Sequence, residues 1–261
     1  MSRSFFNALS GINAYQGALQ QVADNVANLN THGYKRSEVS FTELLYHQLH
    51  DKRFAVDTET DSPLPIIGKG THMYPVTRIY EQGPLQLSDR PLDLAIEGRG
   101  FFRVLREDGT ETYTRRGSFY ADSTGRIVTD QGDYLDVGFD LSGVISSSLV
   151  VGPGGQVIGF DSEGLPLELG NIPLYTFMNE GGLHKDSSGL FIPTEASGEP
   201  QESQPGAEGV GVIRQYHLEG SNVNLAMEMV NLIANQRALQ ANVRSLITAD
   251  ELKALTLLAR G

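Results

Sequence analysis

Long helical patterns at both ends of the chain most constrain how this sequence folds. Residues 4–29 repeat apolar or small side chains in steps of four and three, which predicts one helix with a narrow, coiled-coil-like face. That face comprises Phe5, Leu9, Ile12, Gln16, Leu19, Ala23 and Val26. Asn28 and Asn30 then favour a turn, and Gly33 accepts a left-handed conformation. The helix therefore needs a packing partner from a distant part of the chain.

A second helical pattern closes the chain, because no proline or glycine interrupts residues 225–258. Its apolar face comprises Leu225, Met229, Ile233, Leu239, Val243, Leu246, Ile247, Ala254 and Leu257. Asn222 or Asn224 supplies an N-cap, and the helix would be roughly 50 Å long. The simplest arrangement packs the two terminal helices against each other and leaves further apolar surface facing outward.

Between the helices the pattern is that of β-structure. Most of the 29 glycines lie between residues 68 and 220, and the strongest strand signal, residues 92–104, bends at Gly98 and Gly100. Turn sequences separate the predicted strands at residues 108–109, 122–125, 130–133, 152–155 and 161–164. We therefore predict an α+β fold, with terminal helices paired as a coiled-coil-like element and a mainly β central domain resembling a barrel or sandwich.

The predicted domain organisation has four parts. Residues 1–36 and residues 222–261 form the two helices of a discontinuous helical domain. Residues 37–70 are a connector, whose polar stretch 50–65 contains two prolines and no periodic pattern. Residues 71–221 form the β-rich central domain.

Composition and charge exclude several functional classes. The net charge is −12, and it falls on the middle of the chain, since residues 1–47 and 222–261 are nearly neutral. Without a basic patch, no nucleic-acid partner is expected. The absence of cysteine excludes disulfides and thiolate metal sites. No apolar run is long enough to insert into a membrane, and the N-terminus lacks the apolar core of a secretory signal.

The sequence nominates no catalytic, cofactor-binding or metal-binding residues, and no cofactor is expected. His47 and His50 are spaced to share a helix face, but no third metal ligand stands out. Aspartate and glutamate are too common in this acidic chain for their proximity in sequence to identify a catalytic pair. We therefore do not expect an enzyme.

Three separated motifs resemble the bacterial flagellar basal-body rod and hook protein family. The first, at residues 23–36, reads ADNVANLNTHGYKR, and the last combines EGSNVN at 219–224 with EMVNLI at 228–233 and QRA at 236–238. The middle of the chain agrees in PLDLAIEGRGFF at 91–102, YTRRGSF at 113–119 and TFMN at 176–179. The resemblance covers almost the whole chain in order.

The resemblance implies a structural subunit that self-assembles into a helical tube and transmits torque to the hook. Length and the connector favour the distal-rod branch of the family, with a proximal rod protein or short hook-type axial protein as the alternative. The implied partners are further copies of the chain, other flagellar rod and hook proteins, surrounding ring proteins and the flagellar export apparatus. The implied location is the periplasm-spanning rod, reached by type III export without a cleaved signal peptide.

The same resemblance implies a set of subunit-packing residues within the two terminal motifs. These residues are Asn25, Val26, Ala27, Asn28, Thr31, Gly33, Tyr34, Asn222, Val223, Asn224, Met229, Val230, Ile233, Gln236 and Arg237.

Two other classes of protein agree with only part of the sequence pattern. A β-rich binding module that dimerises through its helices accounts for the helical patterns but not for both terminal motifs. An acidic glycosidase on a β-scaffold needs a paired acid and base in a cleft, and the sequence nominates none.

Overall fold

A computed structural model describes residues 2–43, 47–48, 66–67, 71–73, 77–142, 144, 148–161, 164–186 and 188–258. The polar stretch 50–65 of the predicted connector lies outside the described residues. The chain divides into two compact units. The helical unit comprises residues 1–27, 37–77 and 224–261, and the β-rich unit comprises residues 28–36 and 78–223.

The helical unit contains both predicted helices. Helix α1 is Ser2–Ala27 and helix α2 is Leu225–Leu258, so the two helices are confirmed. Short strands lie between them in sequence: β1 Ser37–Glu38, β2 Phe41–Glu43, β3 His47–Gln48, β4 Ile66–Ile67, β5 Thr71–Met73 and β6 Thr77–Arg78. Strand β2 pairs antiparallel with β5, and β3 pairs antiparallel with β4.

The buried face of α1 is not the predicted one. The residues buried within the chain are Ala8, Gly11, Ala14, Ala18, Val22 and Asn25, whereas Phe5 is 43% exposed and Leu9 is also exposed. At Gly11, a Cβ atom would lie 2.8 Å from Oδ1 of Asn242 in α2. Because the separation of packed helices depends on the side chains at the contact, this stripe of small residues brings α2 close. The larger apolar side chains are left on other sides of α1.

In helix α2, too, many of the larger apolar side chains are exposed and the buried face is made by other residues. Glu228 is buried, and half-buried residues continue its face through Leu232, Asn235, Leu239, Asn242 and Leu246. The exposed apolar residues are Leu225, Met227, Met229, Val230, Ile233, Val243, Ile247, Leu252, Leu255 and Leu258. Both helices therefore carry much of their bulky apolar surface outside the contacts made within this chain.

The β-rich unit is built from short antiparallel strands. They are β7 Leu85–Leu87, β8 Leu94–Glu97, β9 Phe102–Leu105, β10 Glu111–Thr114, β11 Phe119–Ala121, β12 Ile127–Thr129, β13 Tyr134–Leu135, β14 Val150–Val151, β15 Gln156–Phe160, β16 Pro166–Asn171, β17 Leu174–Thr176, β18 His184–Lys185, β19 Phe191–Ile192, β20 Gln201–Ser203, β21 Val212–Gln215 and β22 His217–Glu219. A 3₁₀ turn at Glu180–Gly182 precedes β18.

The largest sheet has seven strands in the order β11-β12-β13-β9-β10-β19-β18. A three-stranded sheet has the order β14-β15-β16, and the pairs β17-β20, β8-β21 and β7-β22 complete the unit. The described strands form no closed barrel, so the barrel alternative is wrong. Closure requires every strand to have two neighbours, and β11 and β18 instead stand at the two edges of the large sheet. The α+β class with a mainly β centre is confirmed.

Turn chemistry explains why these strands are short. Gly109, Gly125, Gly132, Gly155 and Gly164 all adopt positive φ at turns predicted from the sequence, and each turn joins two consecutive strands. Two apolar clusters fill the unit. One is mainly aliphatic and includes Ile96 and Val157. The other is mainly aromatic and comprises Phe101, Tyr113, Tyr175, Phe177, Leu183 and Phe191.

In the part of the chain that the structure describes, neither helix combines the length and hydropathy of a membrane-spanning segment.

Candidate functional site

Three distant segments of the β-rich unit meet at a buried cluster of charged side chains. Lys35 Nζ donates a 2.7 Å hydrogen bond to Oε1 of Glu219, and Arg115 Nε donates a 3.0 Å bond to Oε2 of the same carboxylate. The side chains of Lys35, Arg115 and Glu219 are 1%, 4% and 0% exposed. The three residues come from the N-terminal, central and C-terminal motifs that resemble the flagellar rod and hook family, one residue from each.

Backbone carbonyl oxygens provide further hydrogen-bond acceptors for the two cations. Arg115 Nη1 donates to the carbonyl oxygens of Gly98 at 2.9 Å and Gly100 at 2.7 Å. Lys35 Nζ also donates to the carbonyl oxygen of Glu81 at 2.9 Å. Burying a charge is costly unless it is paired and hydrogen-bonded, and here both conditions are met.

Glu219 also fixes the neighbouring main chain. The amide of Gly83 donates to Oε1 of Glu219 at 3.0 Å. The amide of Gly33 donates to the Glu219 carbonyl oxygen at 2.7 Å. Gly33 has a φ of 68°, and a Cβ atom there would lie 2.8 Å from the Arg116 amide nitrogen. The left-handed position predicted at Gly33 is therefore confirmed, and its close approach to the backbone also requires glycine.

Burial and neighbouring charges perturb the pKa values of the cluster. Burial, followed by the charge of Arg115, lowers the pKa of Lys35, and Glu219 offsets part of this effect. For Glu219, burial alone would raise the carboxyl pKa, but Arg115 and Lys35 together outweigh it and hold the pKa below its ordinary value. The carboxylate therefore stays ionised between two cations, which suits it to holding chain segments together rather than to moving protons.

Three asparagines of the terminal motifs also have defined roles. Asn25 exchanges two hydrogen bonds with the backbone of Ser37, at 2.8 and 3.1 Å. Asn222 accepts from the Arg36 amide at 2.6 Å and donates to the carbonyl oxygens of residues 79 and 81. Asn224 Oδ1 accepts from the amides of Ala226 and Met227 at 3.0 and 3.2 Å, so it is the N-cap of α2.

Three protein-family profiles match parts of the chain that include most of the terminal and central motifs. Residues 6–35 match the profile of flagella basal body rod proteins. Residues 95–159 match the D1 domain of the flagellar hook proteins FlgE, FlgF and FlgG. Residues 214–256 match the C-terminal region of flagellar basal body rod FlgEFG proteins.

Full-length relatives decide the branch of the family. The flagellar basal-body rod protein FlgG of Borreliella burgdorferi is 38% identical over 256 residues, covering 97% of this chain and 96% of the relative. Those of Buchnera aphidicola subsp. Baizongia pistaciae and Caulobacter vibrioides are 36% and 35% identical, covering 94% of this chain and 95% and 94% of the relatives. The chain belongs to the FlgG family of flagellar basal-body rod proteins. It is a structural subunit of the distal rod, located in the flagellar basal body, and not an enzyme.

The buried cluster is accordingly a structural site of a FlgG-family protein. Within the described residues, no group of three or more histidine, aspartate or glutamate side chains is arranged to hold a metal ion.

The structure divides the predicted subunit-packing residues into two sets. The first set is buried or hydrogen-bonded within the chain and comprises Asn25, Asn28, Thr31, Gly33, Tyr34, Asn222, Val223 and Asn224. The second set is exposed and comprises Ala27, Met229, Val230, Ile233, Gln236 and Arg237, while Val26 is half-buried. Residues of the first set shape the chain itself, and those of the second remain available to a neighbour.

Sequence reasoning missed Lys35, Arg115 and Glu219 as site residues, although all three lie within the resembled motifs. A signal was present, since each is a charged residue inside a motif of mostly small, polar or aromatic residues. Nothing in the sequence, however, indicated that the three side chains meet.

Proposed function

We propose that this FlgG-family protein polymerises into a helical tube, the distal rod, which transmits torque to the hook. The observation that carries the proposal is the outward position of the bulky apolar side chains on α1 and α2. An interface repeated between copies without closing on itself generates a helical filament.

Helix α2 provides the main support. Met227 is 56% exposed and Val230 is 62% exposed, and Met229 and Ile233 are exposed to a similar degree. Successive residues of a helix are rotated by about 100°, so these four side chains cover nearly half of the circumference of α2, opposite the buried Glu228. A helix surface this wide and apolar is normally buried. We therefore propose that α2 contacts more than one neighbouring helix in the assembly.

The proposal also includes how the elements of each subunit pack. The terminal helices pair as a coiled-coil-like element, and the sheets of the central domain stack in a sandwich-like manner. Functionally, residues 1–36 and 222–261 serve as the polymerising domain, 37–70 as a connector and 71–221 as the β-rich domain. The exposed set of motif residues contacts neighbouring copies, and the hydrogen-bonded set positions them.

Other flagellar rod and hook proteins, the surrounding rings and the export apparatus are the proposed partners. The chain reaches the periplasm-spanning rod by type III export, without a cleaved signal peptide. The three relatives described above support this setting, since each is a flagellar basal-body rod protein.

Substitutions on α2 test the proposal in the full-length protein. A Val230→Ser, Ile233→Ser double variant should retain the fold, because both side chains are already exposed, and should fail to form filaments. Leu165→Ser is the matched control, since Leu165 is 62% exposed in the β-rich unit. Sedimentation and electron microscopy measure assembly, and circular dichroism checks the fold. Filament formation by the double variant at the native concentration would contradict the proposal.

A further inference from the structure

A pocket of about 260 Å³ opens in the β-rich unit beside residues 30–32. His32 and Arg116 line it together with the aromatic ring of Tyr120 and the aliphatic side chain of Leu190. Asn30 and Gln131 line the pocket as well. Both are exposed, as is Tyr120, so the pocket is accessible from solvent. Its lining thus combines apolar surface with groups able to donate hydrogen bonds.

Two polar groups of this pocket are unsatisfied within the part of the chain that the structure describes. The guanidinium of Arg116 has no hydrogen-bond acceptor or carboxylate partner there. Nδ1 of His32 is buried without a hydrogen-bond partner. Other arginines of the β-rich unit are paired with carboxylates: Arg90, Arg99, Arg103, Arg106, Arg115, Arg126 and Arg214.

A second cationic side chain, that of Lys185, lies near Arg116. A Cβ atom at Gly189 would lie 3.1 Å from Nη2 of Arg116 and 3.8 Å from Cε of Lys185, so the two cationic side chains flank the same glycine. Lys185 Nζ lies 4.6 Å from the centre of the Tyr34 ring. Asp130 is the acidic residue of the pocket lining, and the ion pairs found among the described residues do not include one between Asp130 and Arg116.

We propose that this pocket binds an aspartate or glutamate side chain from a second copy of this chain, with Arg116 as the main donor. The inference rests on the proposed function, because it requires copies to lie side by side. A guanidinium matches a carboxylate through two parallel hydrogen bonds. Tyr120 and Leu190 offer apolar surface for the methylene groups of the incoming side chain.

Charge complementarity identifies the second copy as the occupant. The chain has 32 acidic and 20 basic side chains other than histidine, so every neighbouring copy presents a surface rich in carboxylates. An unpaired arginine in a small pocket can relieve the repulsion between such acidic surfaces at the point where two copies touch.

Zero-length cross-linking tests the proposal. Arg116→Lys keeps the positive charge and supplies an amine that carbodiimide couples to a carboxylate in ion-pair contact. Filaments are assembled from equal amounts of normal and heavy-isotope full-length chains, cross-linked, digested and analysed by mass spectrometry. We expect peptides that join position 116 of one copy to an aspartate or glutamate of the other isotope. Arg99→Lys is the control, because Arg99 pairs with Glu180 of its own chain at 2.9 Å and should give same-chain cross-links.

Assembly measurements give a second readout. Arg116→Gln should raise the critical concentration for assembly by about tenfold, the effect of losing one charged hydrogen-bonded contact, and should leave the thermal unfolding of the monomer unchanged. Arg99→Gln should leave the critical concentration unchanged.

The outcomes separate this inference from the proposed function. Filaments in which position 116 cross-links only to its own chain, or not at all, overturn the pocket assignment and leave polymerisation intact. An Arg116→Gln variant that assembles at the same critical concentration as the native protein also overturns the pocket assignment and leaves polymerisation intact. A native chain that stays monomeric under all assembly conditions contradicts the proposed function and this inference together.

Discussion

Lys35 Nζ lies 2.7 Å from Oε1 of Glu219, and the two residues are 184 positions apart in the chain. Arg115 binds the other oxygen of the same carboxylate. The segment that follows α1 and the segment that precedes α2 are therefore joined through a single buried side chain. The segment of Lys35 depends on Glu219 for its place in the β-rich unit, because without Glu219 both Lys35 and Arg115 would be buried without a counter-charge.

Removing the shared carboxylate should destabilise the β-rich unit strongly. Glu219→Gln leaves Lys35 and Arg115 buried without a counter-charge, and breaking a buried pair in this way costs about 3–5 kcal/mol. The free energy of unfolding from denaturant titration of the full-length monomer measures the loss.

An exposed ion pair supplies the control for that experiment. Arg214 Nε lies 2.6 Å from Oε2 of Glu97, and both side chains are about half exposed. Glu97→Gln should cost less than about 1 kcal/mol, since solvent screens such pairs. Equal losses of unfolding free energy for Glu219→Gln and Glu97→Gln would show that burial does not increase the contribution of the Glu219 ion pairs to stability.

The carboxylate of Glu219 should make the free energy of unfolding depend on pH. Its pKa in the folded chain lies below the ordinary value, so as the pH falls the unfolded chain binds the proton first. The stabilisation from Glu219 is therefore complete above the unfolded pKa of about 4.3 and is lost as the pH falls through the folded pKa. Unfolding free energies of the native protein and Glu219→Gln should differ most near neutral pH and converge in acid. A constant difference across the acid range would contradict this assignment.

Gly117 should tolerate no side chain, although its φ is not in the left-handed region. A Cβ atom at this position would overlap the carbonyl oxygen of Leu94. That oxygen cannot move away, because Leu94 is buried in strand β8. Gly117→Ala should cost about 1–3 kcal/mol or more, measured as a lower melting temperature. Gly154→Ala is the matched control, since a Cβ atom there meets nothing within 4 Å, and it should melt like the native protein.

The N-cap of α2 should contribute measurably to helix stability. Asn224→Ala removes the acceptor for the amides of Ala226 and Met227 and should cost about 1 kcal/mol. Asn224→Asp restores an acceptor and should recover the loss. Thermal unfolding followed by circular dichroism at the helical signal compares the three proteins. If alanine and aspartate behave alike, the cap does not stabilise the helix.

Local features were predictable because they depend on neighbouring residues. The spacing of apolar residues indicated both helices, and residues 225–258 coincide with α2. Glycines after aspartate indicated the turns between strands, and Asn224 was one of two predicted caps. Each of these inferences uses side chains within a few positions of one another, where helix periodicity and turn conformation are decided.

The choice of helix face was not predictable in the same way. The larger apolar residues of α1, such as Phe5 and Leu9, suggested a buried seam, yet Ala8, Gly11 and Ala18 are buried instead. A hydrophobic pattern shows which face avoids water, but not whether the covering surface belongs to the same chain. In a subunit of an assembly, the face that packs within the chain can be the one with small side chains.

The order of the residues alone predicts the two terminal helices, the turns of the β-rich region and membership of a flagellar rod family. The folded chain shows in addition that Lys35, Arg115 and Glu219 share one buried site, and that α1 packs its small residues against α2. The physical reason is that periodicity and turn preference are local, whereas the burial of a charge depends on which distant segments meet around it.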